Sequence, residues 1–114
     1  GYSLLPCPSC ETVTVDPFPT VEELVRFYQS YKGSAIYKPK EEKKIRRASR
    51  RIRRLIPLVK GKTFLDVGCN CGYTVKAGLD LGLQARGIDI DADAVDTARQ
   101  SYGPHFDALS VQDY

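Results

Sequence analysis

Two cysteine pairs stand out among the residues whose types and spacing could do chemistry. Cys69 and Cys71 lie between glycines in the stretch "FLDVGCNCGY", and Cys7 and Cys10 form "CPSC" near the start of the chain. Four cysteine thiolates can bind one zinc ion in a tetrahedral site. The glycines around the second pair instead favour a loop whose backbone approaches a ligand closely. The elements on either side of the loop decide between these two interpretations.

From Lys62 onward the sequence alternates between strand and helix patterns. We predict strands at "TFLDV", "QARGIDI" and "FDALSV", and helices at "YTVKAGLDL" and "DADAVDTARQSY". Asp91 is the predicted N-cap of the second of these helices. Strands joined in succession by helices pair in parallel and carry the helices on the faces of the sheet. The fold class is therefore α/β, with about three parallel strands and a helical segment before them.

The glycine spacing after the first strand restricts the cofactor. The dinucleotide fingerprint G-x-G-x-x-G, begun at Gly68, fails because Asn70 and Tyr73 stand where glycines are required. The Gly-Lys-Ser/Thr ending of a phosphate-binding P-loop is missing as well. What remains is Asp66 followed by Gly68, Asn70 and Gly72. Asn suits the middle position because it tolerates left-handed backbone better than other residues with a side chain.

This pattern resembles the glycine loop of the class I S-adenosylmethionine-dependent methyltransferases, usually D/E-x-G-x-G-x-G, with Asn70 in place of the middle glycine. The resemblance covers roughly residues 60–114 and implies a partial Rossmann-like domain at 61–114. It implies S-adenosyl-L-methionine as the cofactor, with its methionine half against the bare backbone of the loop. The family's sheet usually has seven strands, so we expect this chain by itself to be inactive in methyl transfer.

The resemblance also implies where the cofactor is held. Asp89, after the second strand, would accept the two ribose hydroxyls, and Asp113, after the third, would bond the adenine amino group. The family's proton acceptor usually follows a fourth strand, so no catalytic residue is assigned. Cys69 and Cys71 are interpreted as small side chains that pack within the loop, and no metal is expected. The predicted cofactor-binding residues are Asp66, Gly68, Cys69, Asn70, Gly72, Asp89, Ile90 and Asp113.

Residues 1–37 are predicted to form a Cys-x-x-Cys turn followed by a helix. Residues 1–19 look irregular, with one short strand at "ETVTV", and Thr20 and Glu23 form a capping box for "TVEELVRFYQSY". Gly33 and Ser34 end this helix before a loop at "AIYKPK". The segment resembles one that precedes some bacterial small-molecule methyltransferases, where an earlier cysteine pair often completes a zinc ribbon. That earlier pair is missing from this sequence, so we expect no bound zinc.

Residues 38–60 contain a predicted basic amphipathic helix, from about Lys40 to Ile56. Residues 40–60 carry ten Lys or Arg and two Glu, a charge of +8, although the whole chain is only +3. Apolar residues at three- and four-residue steps form a single stripe. Three uses stay open for the basic face: a solvated surface, an acidic substrate or lipid surface, or RNA. The lack of aromatic residues within the stripe argues against a platform that stacks single-stranded bases.

The functional expectation is methyl transfer to a small molecule such as a sugar, a nucleotide-linked sugar or a lipid. The alternatives are an RNA methyltransferase that uses the basic helix, and a non-catalytic nucleotide-binding or interaction module. Four cysteines without a signal peptide favour the reducing cytoplasm. No apolar run approaches the ~20 residues of a membrane span. A sheet edge without a partner strand predicts either pairing with a second copy of the chain or a chain that is the remnant of a longer protein.

Overall fold

The computed structural model describes residues 1–31 and 38–114. The chain divides into two compact units, Gly1–Tyr31 and Lys32–Tyr114. The predicted helix break at Gly33 and Ser34, and the first part of the loop predicted at 35–40, lie outside the described residues. The last part of that loop, Lys38–Lys40, forms a single 3₁₀ turn.

The first unit is a small hairpin followed by a helix. Strand β1 (Ser3–Pro6) pairs antiparallel with β2 (Val13–Asp16), and the turn between them contains Cys7 and Cys10. The prediction of an irregular start was therefore wrong for β1, because a four-residue strand is stabilised by its partner rather than by its own pattern. Helix α1 (Val21–Ser30) begins with the predicted capping box, in which Thr20 and Glu23 each accept the other's backbone amide.

The second unit contains the predicted parallel sheet. Strands β3 (Thr63–Val67), β4 (Gln84–Asp89) and β5 (Phe106–Ala108) lie in the order β3-β4-β5, and each adjacent pair is parallel. β5 is shorter than predicted. The Leu109 amide donates back to the Asp107 carbonyl instead of to the sheet, so the strand ends there.

The described residues of this second unit include three α-helices, as predicted. The basic helix α2 (Glu41–Leu55) buries Ala48 and Ile52 against Ala77 of α3 (Tyr73–Asp80), which connects β3 to β4. Helix α4 (Ala92–Tyr102) connects β4 to β5 and begins at Asp91, whose carboxylate accepts the Ala94 amide. A second apolar cluster joins the sheet to α3 and α4 around Val75, Val95, Ala98 and Phe106. Among the described residues no helix is both long and apolar enough to span a bilayer.

Both outer strands of the sheet, β3 and β5, have a single partner strand in the part of the chain that the structure describes. β3 pairs only with β4, and its outward residues Leu65 and Val67 are 37% and 56% exposed. Unpaired strand edges invite pairing with another strand. Pairing with a second copy of the chain stays a prediction.

Candidate functional site

The candidate site is the loop at the carboxyl end of β3. β3 ends at Val67 and α3 begins at Tyr73, so residues 68–72 connect them. Gly68, Asn70 and Gly72 have φ angles of 78°, 47° and 83°. Only glycine, and less readily asparagine, adopts this left-handed backbone at low cost. The spacing of the glycines and the asparagine is therefore explained by the shape of the loop itself.

The loop is attached to the end of the neighbouring strand β4. The amides of Gly68 and Cys69 both donate to the Ile88 carbonyl, at 2.8 and 3.0 Å, and the Asn70 amide donates to Asp89 Oδ2 at 2.7 Å. The Cys71 amide donates to the Asn70 side-chain oxygen at 2.9 Å, and the Gly72 amide donates to the Cys69 carbonyl at 2.9 Å. All five amides of the loop are therefore satisfied within the protein.

The two loop glycines differ in what surrounds them. A Cβ at Gly72 would lie 2.5 Å from the Phe106 ring and 3.0 Å from Ala98, so packing excludes a side chain there. A Cβ at Gly68 would meet nothing within 4 Å. Gly68 therefore faces open space at the end of the sheet. Of the two loop glycines, Gly68 leaves space that a ligand could occupy, whereas the space beside Gly72 is filled by side chains of the core.

The loop cysteines are part of the packing. Cys69 lies over Gly87 of β4, where a Cβ would come within 2.7 Å of the Cys69 Cβ. Burial, followed by the charges of Asp89 and Asp66, raises the pKa of Cys69 to about 12. Burial also raises the pKa of Cys71, which is 2% exposed. Both thiols are protonated near neutral pH, whereas metal ligands and nucleophiles are thiolates. Within residues 1–31 and 38–114, no cluster of three metal-binding side chains is found.

Two carboxylates lie at this end of the sheet. Asp66, on β3, is half-buried, and burial followed by the charge of Asp89 raises its pKa. Asp89 ends β4, and its Oδ1 accepts the Asp91 amide at 2.9 Å while its Oδ2 accepts the Asn70 amide. A carboxylate offers about four acceptor positions. Two acceptor positions of Asp89 therefore remain for a ligand after the loop has been bound.

A cluster of tyrosines beside the loop was missed by the sequence reasoning. Tyr73 follows the loop directly. The centroid of its ring lies 6.5 Å from the ring centroid of Tyr102 of α4 and 5.9 Å from Nζ of Lys44 of α2. The Tyr102 hydroxyl donates to Glu41 at the start of α2. Burial is the main cause that raises the pKa of Tyr73 to about 12 and raises the pKa of Tyr102 as well. No local pattern signals contacts between residues 61 positions apart.

The remaining predicted residues follow β4 and β5. Ile90 comes directly after Asp89 and is 58% exposed. Asp113 lies five residues beyond the end of β5, and its described contacts are with Ser110, whose hydroxyl donates to Asp113 Oδ2 at 2.6 Å. The structure thus brings Asp66, the loop and Asp89 together, and it gives Asp113 only this local contact. The role of Asp113 toward adenine stays a prediction.

No protein-family model matches this chain, and neither does any curated protein. The interpretation of the site therefore depends on its geometry. Two surface grooves lie at the other end of the sheet, around the first residues of β3 and β4, Thr63 and Gln84. One of them is lined mainly by apolar residues of α2 and the turn after it, including Ile52 and Leu55. Neither groove is lined by a residue of the loop or by Asp89, so neither is the candidate site.

Proposed function

We propose that residues 61–114 bind S-adenosyl-L-methionine and form the cofactor-binding part of a class I methyltransferase with a Rossmann-like sheet. The acceptor would be a small molecule such as a sugar, a nucleotide-linked sugar or a lipid. One observation carries the proposal: the loop after β3 has no free amide, yet it leaves open space at Gly68. A ligand that needs bare backbone beside it fits such a loop, whereas a phosphate would gain no hydrogen bond from the loop's own amides.

The argument against phosphate is one of hydrogen bonds and charge. Loops that cradle phosphate do so with unpaired backbone amides at a helix N-terminus. Here the amides of residues 68–72 are all bonded within the protein, so the loop itself offers a phosphate no donor, and only the first amides of α3, which have no side-chain cap, stay available. Asp66 and Asp89 would in addition repel a pyrophosphate. The cofactor that we propose carries a sulfonium and an ammonium group, and both are attracted by these carboxylates.

Five of the predicted residues have a role that their positions support. The backbone at Gly68 and Asn70 would lie along the methionine half. Asp89 would accept ribose hydroxyls with the two positions that the loop leaves free, as charge-assisted hydrogen bonds. The exposed side chain of Ile90 would pack against the adenine ring. Asp66, which has a raised pKa, would be stabilised as a carboxylate by a cationic group beside it.

The bound cofactor supplies the methyl group on a sulfonium, and the protein supplies binding and orientation. The chain's contribution is to hold the loop in one shape, through the bonds from its amides to Ile88 and Asp89. We assign no proton acceptor among the described residues.

Calorimetry of the 114-residue chain with S-adenosylhomocysteine and, separately, with NAD tests the proposal. The variant Gly68→Ala places a methyl group in the open space, and we expect affinity for S-adenosylhomocysteine to fall by about tenfold or more, equivalent to ~1.4 kcal/mol. Gly82→Ala is the matched control, because Gly82 has the same φ of 78° and also no atom within 4 Å of a Cβ. Tighter binding of NAD, or equal effects of the two variants, would refute the proposal.

A further inference from the structure

The outer face of α2 carries the densest charge in the described part of the chain. Its apolar residues Ala48 and Ile52 pack against α3, so the opposite side of the helix faces solvent. Six arginines and one lysine are exposed there, and Glu42 is the only exposed acid on the helix. The exposed cations are Lys43, Arg46, Arg47, Arg50, Arg51, Arg53 and Arg54.

Within residues 1–31 and 38–114, these seven cations have no acidic partner. No ion pair joins any of them to a described residue, whereas Lys76, Arg86 and Arg99 elsewhere in the same unit each pair with an aspartate. Like charges three and four residues apart on a helix repel one another and destabilise it. The face therefore carries a high positive charge that no neighbouring acid neutralises. A bound polyanion would neutralise it.

The arrangement of the cations fits an extended row of phosphates. Arg46, Arg50 and Arg54 follow one another at steps of four residues, which is a rise of about 6 Å per step along the helix. The full set spans eleven residue steps, roughly 16 Å at 1.5 Å per residue. That length exceeds what one phosphate or pyrophosphate can contact. Guanidinium groups also bind phosphate oxygens in pairs, which suits a repeated phosphodiester better than isolated ammonium groups do.

We propose that the outer face of α2 is a docking surface for the phosphodiester backbone of a nucleic acid. Membrane-surface helices pair their basic face with an exposed apolar face. The apolar face of α2 is buried against α3 at Ala48 and Ile52, and the exposed apolar residues Leu55, Leu58 and Val59 lie at the last residue of the helix or after it, outside the cation rows. No aromatic residue lies within Glu41–Leu55 to stack on bases. The surface therefore contacts the backbone without sequence preference, whether or not the loop binds the proposed cofactor.

Fluorescence anisotropy with labelled RNA and DNA oligonucleotides of equal length, without cofactor, tests this surface. Four to seven single-strand phosphate contacts predict a slope of log K against log salt of roughly −3 to −5, a loss of about 50- to 900-fold between ~50 and ~200 mM salt. In the triple variant R46Q/R50Q/R54Q the slope should become shallower by about 2. Added oligonucleotide should also raise the Tm of the wild type by more than that of this variant.

The triple variant R46K/R50K/R54K is the matched control, because it keeps the charge and should keep the slope. Circular dichroism checks that both variants remain folded, as expected for exposed side chains without partners. Anionic phosphatidylserine vesicles and inorganic pyrophosphate form the other arms of the test. The proposal is wrong if the glutamine variant keeps the wild-type affinity and slope. It is equally wrong if the wild type binds the vesicles or pyrophosphate but not the oligonucleotides.

Discussion

The backbone amide of Asn70 donates a hydrogen bond of 2.7 Å to the carboxylate of Asp89, across 19 positions of sequence. The bond joins the tip of the loop after β3 to the end of β4. The second oxygen of Asp89 accepts the Asp91 amide at 2.9 Å, just before α4 begins. One carboxylate thus holds the loop and the start of the next helix, and the residue predicted to bind ribose is also a structural anchor.

Replacing Asp89 should affect both ligand binding and stability. Asp89→Ala removes hydrogen bonds to a charged group that are worth ~1.5–3 kcal/mol each, so affinity for S-adenosylhomocysteine should fall at least ~10-fold. Asp91→Ala is the control, because it removes an N-cap worth ~1 kcal/mol without touching the ribose position. Calorimetry and thermal unfolding should show that both variants lose stability and that only Asp89→Ala loses affinity. Unchanged affinity in Asp89→Ala would assign the ribose to another residue.

Asp66 should make the protein less stable at neutral pH than an uncharged residue would. Its folded-state pKa is raised above the reference value of 3.8, mainly by burial. Its stabilising contribution is therefore present below that value and is lost as pH rises through the folded-state pKa. Asp66→Asn should have a higher Tm than the wild type at about pH 7.

The matched control for this prediction is Asp96→Asn, since Asp96 makes only an exposed ion pair with Arg99, at 3.2 Å. Exposed pairs contribute ~0–1 kcal/mol, so this variant should gain no stability. Thermal melts across the acid range should show the advantage of Asp66→Asn shrinking as pH falls toward the reference pKa. A Tm for Asp66→Asn equal to or below that of the wild type at neutral pH contradicts the prediction.

The cysteines should differ in their reaction with iodoacetamide at about pH 8, because the thiolate is the reactive form. The hydrogen bond between Cys10 and the Thr12 side chain is the main cause that lowers the pKa of exposed Cys10, whereas the pKa of Cys69 is about 12. We expect Cys10 to be alkylated first and Cys69 last in a time course followed by peptide mass spectrometry. In denaturant the rates should converge. Alkylation of native Cys69 as fast as Cys10 would show that the loop opens.

The contact of Cys69 with Gly87 should make β4 intolerant of a side chain. In Gly87→Ala the new Cβ would lie 2.7 Å from the Cys69 Cβ and 2.9 Å from Val75, and overpacking of this kind costs ~1–3 kcal/mol. Gly61→Ala is the control, because its Cβ would meet only the Thr63 hydroxyl, at 3.9 Å. Urea unfolding should show a loss for the first variant and a change within ~0.5 kcal/mol for the second. Equal midpoints would mean that Cys69 moves aside freely.

Local patterns were sufficient for most elements of the second unit. β3 has the predicted bounds, Thr63–Val67, because a short apolar run ends at a glycine loop. α4 begins at Asp91 because its carboxylate caps the helix. The two-stranded hairpin was only half predicted, since β1 depends on a partner that lies ten residues later. The third strand was predicted too long because apolar composition alone does not show where pairing stops.

The sequence predicted where the glycines and the asparagine of the loop lie, but it did not predict the different reason why each position requires its residue. Gly72 is required by the Phe106 ring, and Gly68 by its left-handed backbone alone. Gly87 had a usable signal, since an isolated glycine inside a strand pattern indicates a close approach. The contact between Tyr102 and Glu41 had none, because it depends on how α2 packs beside α4.

The closed hydrogen bonding of residues 68–72 has a consequence for affinity. A loop that must become ordered on binding loses conformational entropy, roughly 1–2 kcal/mol for each backbone residue that is immobilised. Here the partners of the five amides are all groups of the protein itself. A ligand at Gly68 therefore meets a preorganised surface, and its contacts contribute to binding without that entropic loss.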